Sequence, residues 1–495
     1  MTFFVPKFTI FSPKSCILLA TYLFFFAVIS IEIWNLFSLV FTSLDSPILY
    51  EDSVVLIPAY STDSLKYIGW LIQPHNGHFL LFPKLTSDLI SYGTKSPIGF
   101  YNILINTSFQ LMTCLVSIFL LRPLNLSLSC KVIYSCIFIS LILSPWNWEN
   151  LIWEFQSPWF FVQFIVILGA FIIANSYKPV SEIANEFAST RIFINLERFF
   201  IILSPTIAIF CSGHGYAFAF SLFVIYLLGV KKLHLLAISL MVFIAFLGVF
   251  AIAKSYFGFD SSILVKNNFS LLSFCKYLVA ALSSSAFSAS VNAFSKTASS
   301  AWIVPLTSSA VLILVLIFVS IKLISLFAKL NISPTIFIPA SFLLLFSFSF
   351  LCMIAFSRSG YGFHQALVSR YFVLKSLLPL GLLYFNANIS SQLCGFPELR
   401  VYCFKKINQL MMLPACIYVL LFLVNFPSFI TTCYQSHDIL RDRQYKFELF
   451  AKRCDPKLKI FPGKTRHFAL DKTLSFASRD PADVISCDSL LRARL

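Results

Sequence analysis

The sequence predicts an all-α fold, a polytopic transmembrane helical bundle of about 11 spans (about 10–13), and two observations support this fold class. Hydrophobic residues make up 58% of the 495 residues and charged residues only 12%, about half the charged share of an average soluble domain. Apolar runs of roughly 18–25 residues recur along the chain, and a helix of that length crosses the hydrocarbon core of a membrane. The composition therefore excludes a soluble globular protein.

The apolar runs predict the helices one by one. The run 131–144 is too short to cross straight, so we expect it to extend. The segment 270–290 is rich in Ser and Ala and contains Lys276, which favours a helix lying at the interface over a further span. In chain order the predicted helices lie near 16–39, 99–121, 131–144, 158–175, 197–211, 216–230, 234–253, 302–328, 335–356, 368–388 and 410–428.

The composition changes near residue 430 and divides the chain into two parts. Residues 1–430 form the predicted transmembrane domain. Residues 431–495 are basic and have few long apolar runs, so they are predicted to form a small extramembrane C-terminal tail. A segment of this length buries little core on its own.

Basic residues fall in alternate loops, which places those loops on the cytoplasmic side. The N-terminus is then cytoplasmic, and the first span is an anchor because it has no small-residue cleavage site. The net charge of +16 reflects loop orientation and lipid contact, so nucleic acid is not an expected partner. The span count places the basic tail on the non-cytoplasmic side, which is an exception to the rule that basic loops are cytoplasmic. The supporting residues are Lys7, Lys14, Arg122, Lys131, Lys178, Arg191, Arg198, Lys231, Lys232, Lys329, Arg400, Lys405 and Lys406.

The first outer loop, 40–98, opens with the acid pair Glu51-Asp52. Adjacent acids just beyond a span can act as a general base or hold a divalent cation through hard oxygen ligands. The simpler interpretation is a solvated pair that caps a helix. The apolar stretch 54–60 follows the pair and could press it against the membrane, which favours a role in chemistry.

Farther along this loop, His75 and His78 stand three residues apart, so on a helix they would share a face. That spacing suits a metal pair or a pair that contacts phosphate. A metal would need a third ligand, such as Glu51 or Asp52. A merely polar loop at the interface is the alternative interpretation.

The outer loop 145–157 alternates aromatic side chains with acids and amides. Trp146 and Trp159 fit the aromatic belt of a membrane boundary, but the polar side chains between them are costly near lipid unless they line a wet cavity. Rings stack on sugar faces, while amides and carboxylates bind sugar hydroxyls. The pattern therefore predicts a sugar-binding cleft. Its predicted contacts are Trp148, Glu149, Trp153, Glu154 and Gln156.

Two later outer loops combine glycine with cationic side chains. The turn 212–215 presents His214, and the segment that follows near 358–370 presents Arg358, His364 and Arg370. Glycine lets backbone approach a ligand closely, and Arg suits bidentate binding of phosphate. The simpler interpretations are a satisfied polar turn for His214 and a snorkelling side chain for Arg370.

Together these features resemble the GT-C class of integral-membrane glycosyltransferases, which take a sugar from a polyprenyl-phosphate carrier. The shared features are a long first outer loop that opens with acids, here Glu51-Asp52, and many spans joined by short turns. More narrowly, the chain resembles poorly characterised bacterial membrane proteins with a His-Asn-x-His motif, here 75–78. A Phe-Gln turn at 155–156 and an Arg-Tyr pair at 370–371 also match. The likeness covers roughly 16–430 in layout and only these short motifs in sequence.

The resemblance implies an inverting glycosyltransferase of a bacterial inner membrane, which transfers a sugar to a cell-envelope glycan or lipid acceptor on the non-cytoplasmic face. Asp52 or Glu51 would be catalytic and would activate the acceptor hydroxyl. A divalent cation, Mg²⁺ or Mn²⁺, would bind Glu51, Asp52 and His75. The donor's phosphate and sugar would be held by the remaining predicted residues. The implied substrate-binding residues are His75, His78, Trp148, Glu149, Trp153, Glu154, Gln156, His214, Arg358, His364 and Arg370.

Other functions stay open at the level of the sequence. A transporter or flippase of lipid-linked glycans places charges along a path inside its spans, and here only Glu32 and Lys322 lie in the middle of a span. A glycan polymerase or ligase would rely on a large late outer loop, whereas the largest loop here comes first. A purely structural membrane protein is the remaining alternative. The position of the polar clusters at span ends favours the enzyme.

Overall fold

The computed structural model describes residues 13–43, 64–73, 80–94, 98–152, 156–176, 187–230, 233–257, 270–288, 303–327, 337–367, 371–395 and 402–454. Within these ranges the chain forms helices and turns and no strand, so the predicted all-α class is confirmed. Nine of the described helices are long and apolar enough to cross a membrane. The prediction of a polytopic helical membrane protein is therefore confirmed.

The helices are numbered here in chain order. They are α1 (Pro13–Thr42), α2 (Ser64–Ile72), α3 (Leu81–Thr94), α4 (Ile98–Leu121), α5 (Leu128–Leu143), α6 (Trp148–Ile152), α7 (Ser157–Ser176), α8 (Phe187–Cys211), α9 (Gly215–Val224), α10 (Leu233–Phe257), α11 (Leu271–Leu282), α12 (Ile303–Phe327), α13 (Ile338–Arg358), α14 (Phe372–Lys375), α15 (Leu377–Gly395) and α16 (Tyr402–Cys454). A π-helical segment, Ile225–Val230, continues α9. Short 3₁₀ turns occupy Pro145–Asn147, Ser359–Tyr361 and Phe363–Leu367.

Every predicted apolar run overlaps a helix, and the largest difference concerns the last one. The prediction that this helix ends near residue 428 is wrong, because α16 runs for 53 residues to Cys454. Its second half is rich in Arg, Lys, Glu and Gln, which are good helix formers although they give no apolar signal. Pro414 and Pro427 lie inside the helix.

The prediction for the short run 131–144 agrees with the structure, and the place of segment 270–290 at the interface stays a prediction. The run 131–144 does extend: with the turn that follows, α5 forms a candidate span of 20 residues, Leu128–Asn147. Ser127 begins the helix, since its Oγ accepts a hydrogen bond from the Cys130 nitrogen. By contrast, α11 has 12 residues, a length of about 18 Å, and is too short to cross about 30 Å of hydrocarbon.

The centre of the bundle is formed by α7, α13 and α15. Helix α7 packs against α4, α8 and α13, and α15 packs against α12, α13 and α16. Gly169 permits the closest approach: an added Cβ there would lie 2.7 Å from Phe200 Cζ of α8 and 3.1 Å from Phe342 Cε1 of α13. The outer helices α10 and α12 expose large apolar side chains such as Ile252 and Leu314, as lipid-facing helices do.

Several of the loops predicted to face outward contact one another. The centre of the Trp159 ring, at the start of α7, lies 3.9 Å from the centre of the His214 ring and 5.4 Å from that of the Tyr371 ring. Lys375 of α14 reaches Ser284 and Ala366. The loops predicted to face outward therefore meet at one end of the bundle. We call this the motif end, formed by residues 144–152, 156–159, 212–215, 284–288, 358–367 and 371–376.

The loops predicted to face the cytoplasm meet at the opposite end. The Asn125 nitrogen, between α4 and α5, donates to Ser391 Oγ near the end of α15. Tyr226, in the π-helical segment, donates to Glu197 Oε1 near the start of α8. The predicted division of the loops into two groups, one at each end of the bundle, thus agrees with the contacts between them. The assignment of the motif end to the outside stays a prediction from the basic residues.

Replacing Gly215 with Ala is expected to destabilise the corner between α8 and α9. An added Cβ would overlap the backbone of Ala208 and Ile209, and backbone cannot rotate away as a side chain can. Overpacking of this kind costs about 3 kcal/mol, which should lower the midpoint of thermal unfolding in detergent. Gly248→Ala is the control, because nothing lies within 4 Å of an added Cβ there. Equal midpoints for the two variants would contradict the packing of α8 on α9.

Candidate functional site

The predicted site residues divide into three groups. Trp148, Gln156, His214 and Arg358 are described in full, and all four lie at the motif end. For Glu149 and His364 the backbone is described, and it places them on α6 and on the turn Phe363–Leu367. The residues that lie outside the described ranges are Glu51, Asp52, His75, His78, Trp153, Glu154 and Arg370.

His214 is enclosed by aromatic rings. Its ring lies 3.9 Å from that of Trp159 and 5.4 Å from that of Phe350. Nδ1 is 2.5 Å from Ser212 Oγ, which fixes the ring within the turn. Trp159 is itself buried, and so is Trp146, which packs on Phe372. Both indoles are therefore enclosed by protein at this end and are not lipid-facing members of a belt.

Side-chain amides hold the helices of the motif end together. Gln110 of α4 and Asn147 of the adjoining turn both donate to the Ile142 carbonyl, each at 3.0 Å. Asn106 Nδ2 donates to the Asn150 carbonyl at 3.2 Å. Gln163 Nε2 of α7 donates to the Val373 carbonyl at 2.7 Å. These bonds join α4, α5, α6, α7 and α14.

The same amides leave their oxygens without a protein partner. An unpaired buried acceptor costs about 1–3 kcal/mol, and native proteins keep only a few per 100 residues. Here several converge on one end of the bundle. We call them the amide cluster: the buried oxygens of Asn106, Gln110, Asn147, Gln156 and Gln163 and the indole N–H groups of Trp146 and Trp148, none of which finds a partner among the described residues.

Lys375 adds a buried amine beside the amide cluster. Its side chain is fully buried, and Nζ donates to Ser284 Oγ at 2.8 Å and to the Ala366 carbonyl at 2.7 Å. No carboxylate of the described residues pairs with it. Gln163 bonds the neighbouring Val373 and Ser376. The amine therefore adjoins the amides, and an anionic ligand at this end would supply the counter-charge that its protonated form lacks among the described residues.

Arg358 ends α13, and the chain turns sharply after it. The side chain is exposed at the motif end, where the negative end of the helix dipole favours a cation. Gly362 follows with φ +92°, a left-handed conformation that favours glycine. This turn carries the chain from α13 to the segment that contains His364.

The flanks of the His-Asn-x-His segment are fixed by one lysine. Lys84 of α3 donates through Nζ to the carbonyls of Trp70 and Gln73, at 2.5 and 2.9 Å. Its backbone nitrogen donates to the Leu80 carbonyl at 2.9 Å. Gln73 and Leu80 are the described residues on either side of 74–79. Lys84 thus bonds the residues on both sides of segment 74–79, one through its side chain and one through its backbone nitrogen.

The helix pair α2–α3 carries two perturbed side chains. Burial lowers the pKa of Lys84 to about 8. Tyr67 donates a 2.5 Å hydrogen bond to Asp88 Oδ2, and this bond raises the pKa of the phenol to about 12. Both interactions tie α3 to α2, so they brace the loop on which the predicted motif lies.

The described residues contain no group of three or more His, Cys, Asp or Glu side chains that could hold a metal ion. The predicted ligands Glu51, Asp52 and His75 lie outside the described ranges. The metal site therefore stays a prediction.

Searches of protein-family models, of curated proteins and of solved structures find no match to this chain. The relation to the GT-C class accordingly rests on the residues of the chain itself and stays a prediction. What the structure adds is the amide cluster and Lys375, neither of which follows from the short sequence motifs.

Lys84 is expected to titrate near pH 8 in the folded protein. Because its folded pKa lies below the ordinary value of 10.5, the unfolded chain binds more protons between these values, so the stability contributed by Lys84 rises from about pH 8 to about pH 10.5. NMR of the protein with ¹³C-labelled lysine should show one resonance titrating near pH 8 that is missing from Lys84→Arg. Lys276→Arg, at an exposed position, should leave that titration unchanged. Retention of the resonance in Lys84→Arg would contradict the assignment.

Proposed function

We propose that this protein is an integral-membrane glycosyltransferase that takes a sugar from a polyprenyl-phosphate carrier and transfers it to a cell-envelope glycan or lipid acceptor. The observation that carries the proposal is the amide cluster. A sugar hydroxyl both donates and accepts hydrogen bonds. Buried amide oxygens and indole N–H groups at one end of the bundle are complementary to a ligand with several hydroxyls.

The membrane layout fits such an enzyme. We propose 11 spans: the nine long helices together with the shorter apolar segments Gly215–Leu228 and Leu233–Val249. Because the two shorter segments are added as a pair, they leave the sidedness of every later span unchanged. With a cytoplasmic N-terminus, the motif end then lies on the outer face of a bacterial inner membrane, where polyprenyl-linked donors and envelope acceptors meet.

Basic groups at the motif end support a phosphate-bearing donor, whose negative charge would pair with them. Lys375 is buried beside the amide cluster, and Arg358 is the last residue of α13, 17 residues earlier in the sequence. We assign Arg370 and His364 to the same role. Positive charge held in place before the reaction stabilises the phosphate as it leaves with the bonding electrons. The exposed apolar surfaces of the outer helices would receive the prenyl tail.

The acid pair is within reach of this end. Helix α1 contacts the turn Pro145–Asn147. The segment from Ser43 to Asp52 can span at most about 32 Å when fully extended, so the acid pair cannot lie farther than that from the end of α1. In the proposed step Asp52 takes the proton of the acceptor hydroxyl. The hydroxyl oxygen then attacks the anomeric carbon, and the bond to the phosphate oxygen breaks on the opposite face. The configuration at that carbon is inverted.

A transporter of lipid-linked glycans is the second candidate, and one observation favours it. Glu32 is buried inside the α1 span, where it bonds Ser140 of α5. Charges inside spans are typical of transport paths. The other buried acid and basic residues in the described candidate spans, Glu197 and Lys375, lie near the ends of those spans, so the enzyme remains the better-supported function.

Asp52→Asn is expected to lower transfer by about 10²–10⁴-fold, because the amide cannot accept the acceptor's proton. The measurement uses membranes that contain the variant and a panel of polyprenyl-phosphate-linked radiolabelled sugars, with label counted in envelope glycan and lipid. Asp63→Asn, in the same loop, is the control and should transfer normally. Unchanged turnover in Asp52→Asn would rule out its catalytic role.

Trp148→Phe tests the amide cluster itself. The substitution keeps an aromatic side chain and removes an N–H that has no partner among the described residues, so the fold should lose no hydrogen bond. Because Phe is smaller than Trp, the midpoint of thermal unfolding should fall only by the cost of the space left behind. One lost hydrogen bond to the sugar, about 1.4 kcal/mol, corresponds to a tenfold rise in KM for the donor with kcat unchanged. Trp34→Phe, exposed on α1, is the control. A normal KM in Trp148→Phe would place the sugar elsewhere.

A further inference from the structure

Glu32 is an acid buried within a membrane span, and the proposed transfer reaction does not use it. The side chain is 1% exposed and lies on α1 between α5 and α16. Oε1 accepts a hydrogen bond from Ser140 Oγ at 2.9 Å, and Ser140 Oγ in turn accepts one from the Tyr418 hydroxyl at 3.0 Å. Three helices thus meet at this carboxyl group.

Among the described residues, no positive charge accompanies the acid. Glu32 is affected by its burial and by the hydrogen bond from Ser140. The titratable groups that face it are Cys114 of α4 and Tyr418 and Cys433 of α16, all of which are neutral or anionic. Packing against α5 adds only a hydroxyl. A carboxylate held at this depth without a counter-ion is strongly disfavoured.

Two oxygens on the face of α1 that packs toward α5 and α16 accept no hydrogen bond from the described residues. Glu32 Oε2 and Asn35 Oδ1 are both buried without a partner among the described residues. They stand three residues apart on α1 and therefore share a face. Asn425 Oδ1 of α16 is likewise unpaired and lies two turns beyond Tyr418. We call Glu32, Asn35 and Asn425 the acid–amide line.

We propose that Glu32 is a proton-binding site, occupied as a carboxylic acid whose Oε2–H donates to Asn35 Oδ1. One bound proton removes a charge that nothing balances and satisfies two acceptors at once. A metal ion fits less well, since Mg²⁺ and Ca²⁺ take about six or more oxygen ligands and the described residues offer fewer here. The inference does not depend on the proposed transfer reaction.

The site would couple a proton to the packing of α1. Loss of the proton leaves an anionic Oε2 facing the Asn35 oxygen, and like partial charges repel. The contact of α1 with α16 must then loosen or admit water. Because the acid–amide line runs along this seam toward the motif end, protons would enter and leave by that route.

Infrared difference spectroscopy of the full-length protein in lipid nanodiscs at pH 7 tests the proposal. Wild type minus Glu32→Gln should show the carbonyl stretch of a protonated carboxylic acid, and Asn35→Leu should shift that band to higher frequency because its hydrogen bond is lost. Glu197→Gln, which removes another buried acid, should leave the band in place. Carboxylate bands in the first difference spectrum would overturn the proposal. Loss of the acid band on exchanging choline chloride for NaCl would overturn it in favour of a metal ion.

The folding of the variants supplies an independent measurement. A glutamine at position 32 still accepts from Ser140, and its amide donates to Asn35, so it mimics the protonated acid. Glu32→Gln should therefore keep the wild-type midpoint of thermal unfolding, whereas Glu32→Ala should lower it. A Gln variant as unstable as the Ala variant would show that the negative charge itself is needed and would overturn the proposal.

Discussion

At the motif end, side-chain amides donate hydrogen bonds to main-chain carbonyls that the ends of helices leave without a partner. Ile142 lies in the last turn of α5, Asn150 in the five-residue α6 and Val373 in the four-residue α14, and each carbonyl accepts from an amide. Within hydrocarbon such carbonyls must be satisfied by protein. Because the amide nitrogens are committed to this task, the amide oxygens are left for something else. The contacts that assemble this end therefore also create the acceptors of the candidate site.

The fold class and the grouping of the loops could be predicted from the sequence, because apolar length and the placement of basic residues report membrane crossing directly. The end of α16 could not, since beyond Asp438 the helix continues through charged residues that carry no apolar signal. The surroundings of Trp146 and Trp159 also escaped prediction. A tryptophan at a span end has the same sequence context whether it faces lipid or a neighbouring helix, and here both face protein.

The candidate site was predicted in part. The loops supplied Trp148, Gln156 and His214, which do lie at the motif end. Asn106, Gln110, Gln163 and Lys375 were missed because they stand inside apolar spans, where averaging over a window hides a single polar residue. A signal was present: Asn106 and Gln110 are four residues apart and share a helix face. An ionisable residue such as Lys375 inside a span points to function by default.

Packed aromatic rings lie between Trp146, a member of the amide cluster, and Tyr418, which is linked to Glu32 through Ser140. The Trp146 ring packs on Phe287 and Phe422 at 5.5 and 6.4 Å, and Tyr418 stacks on Phe287 at 5.5 Å. The amide cluster and the acid–amide line are also connected by α1, which contacts the turn Pro145–Asn147. The helix carries Glu32 about 15 Å from its end, and the chain that leaves it leads to the predicted acid pair. A shift of α1 on loss of the Glu32 proton would therefore move the root of that loop, which makes proton binding a means of adjusting the proposed catalytic acids without any contact between the two sites.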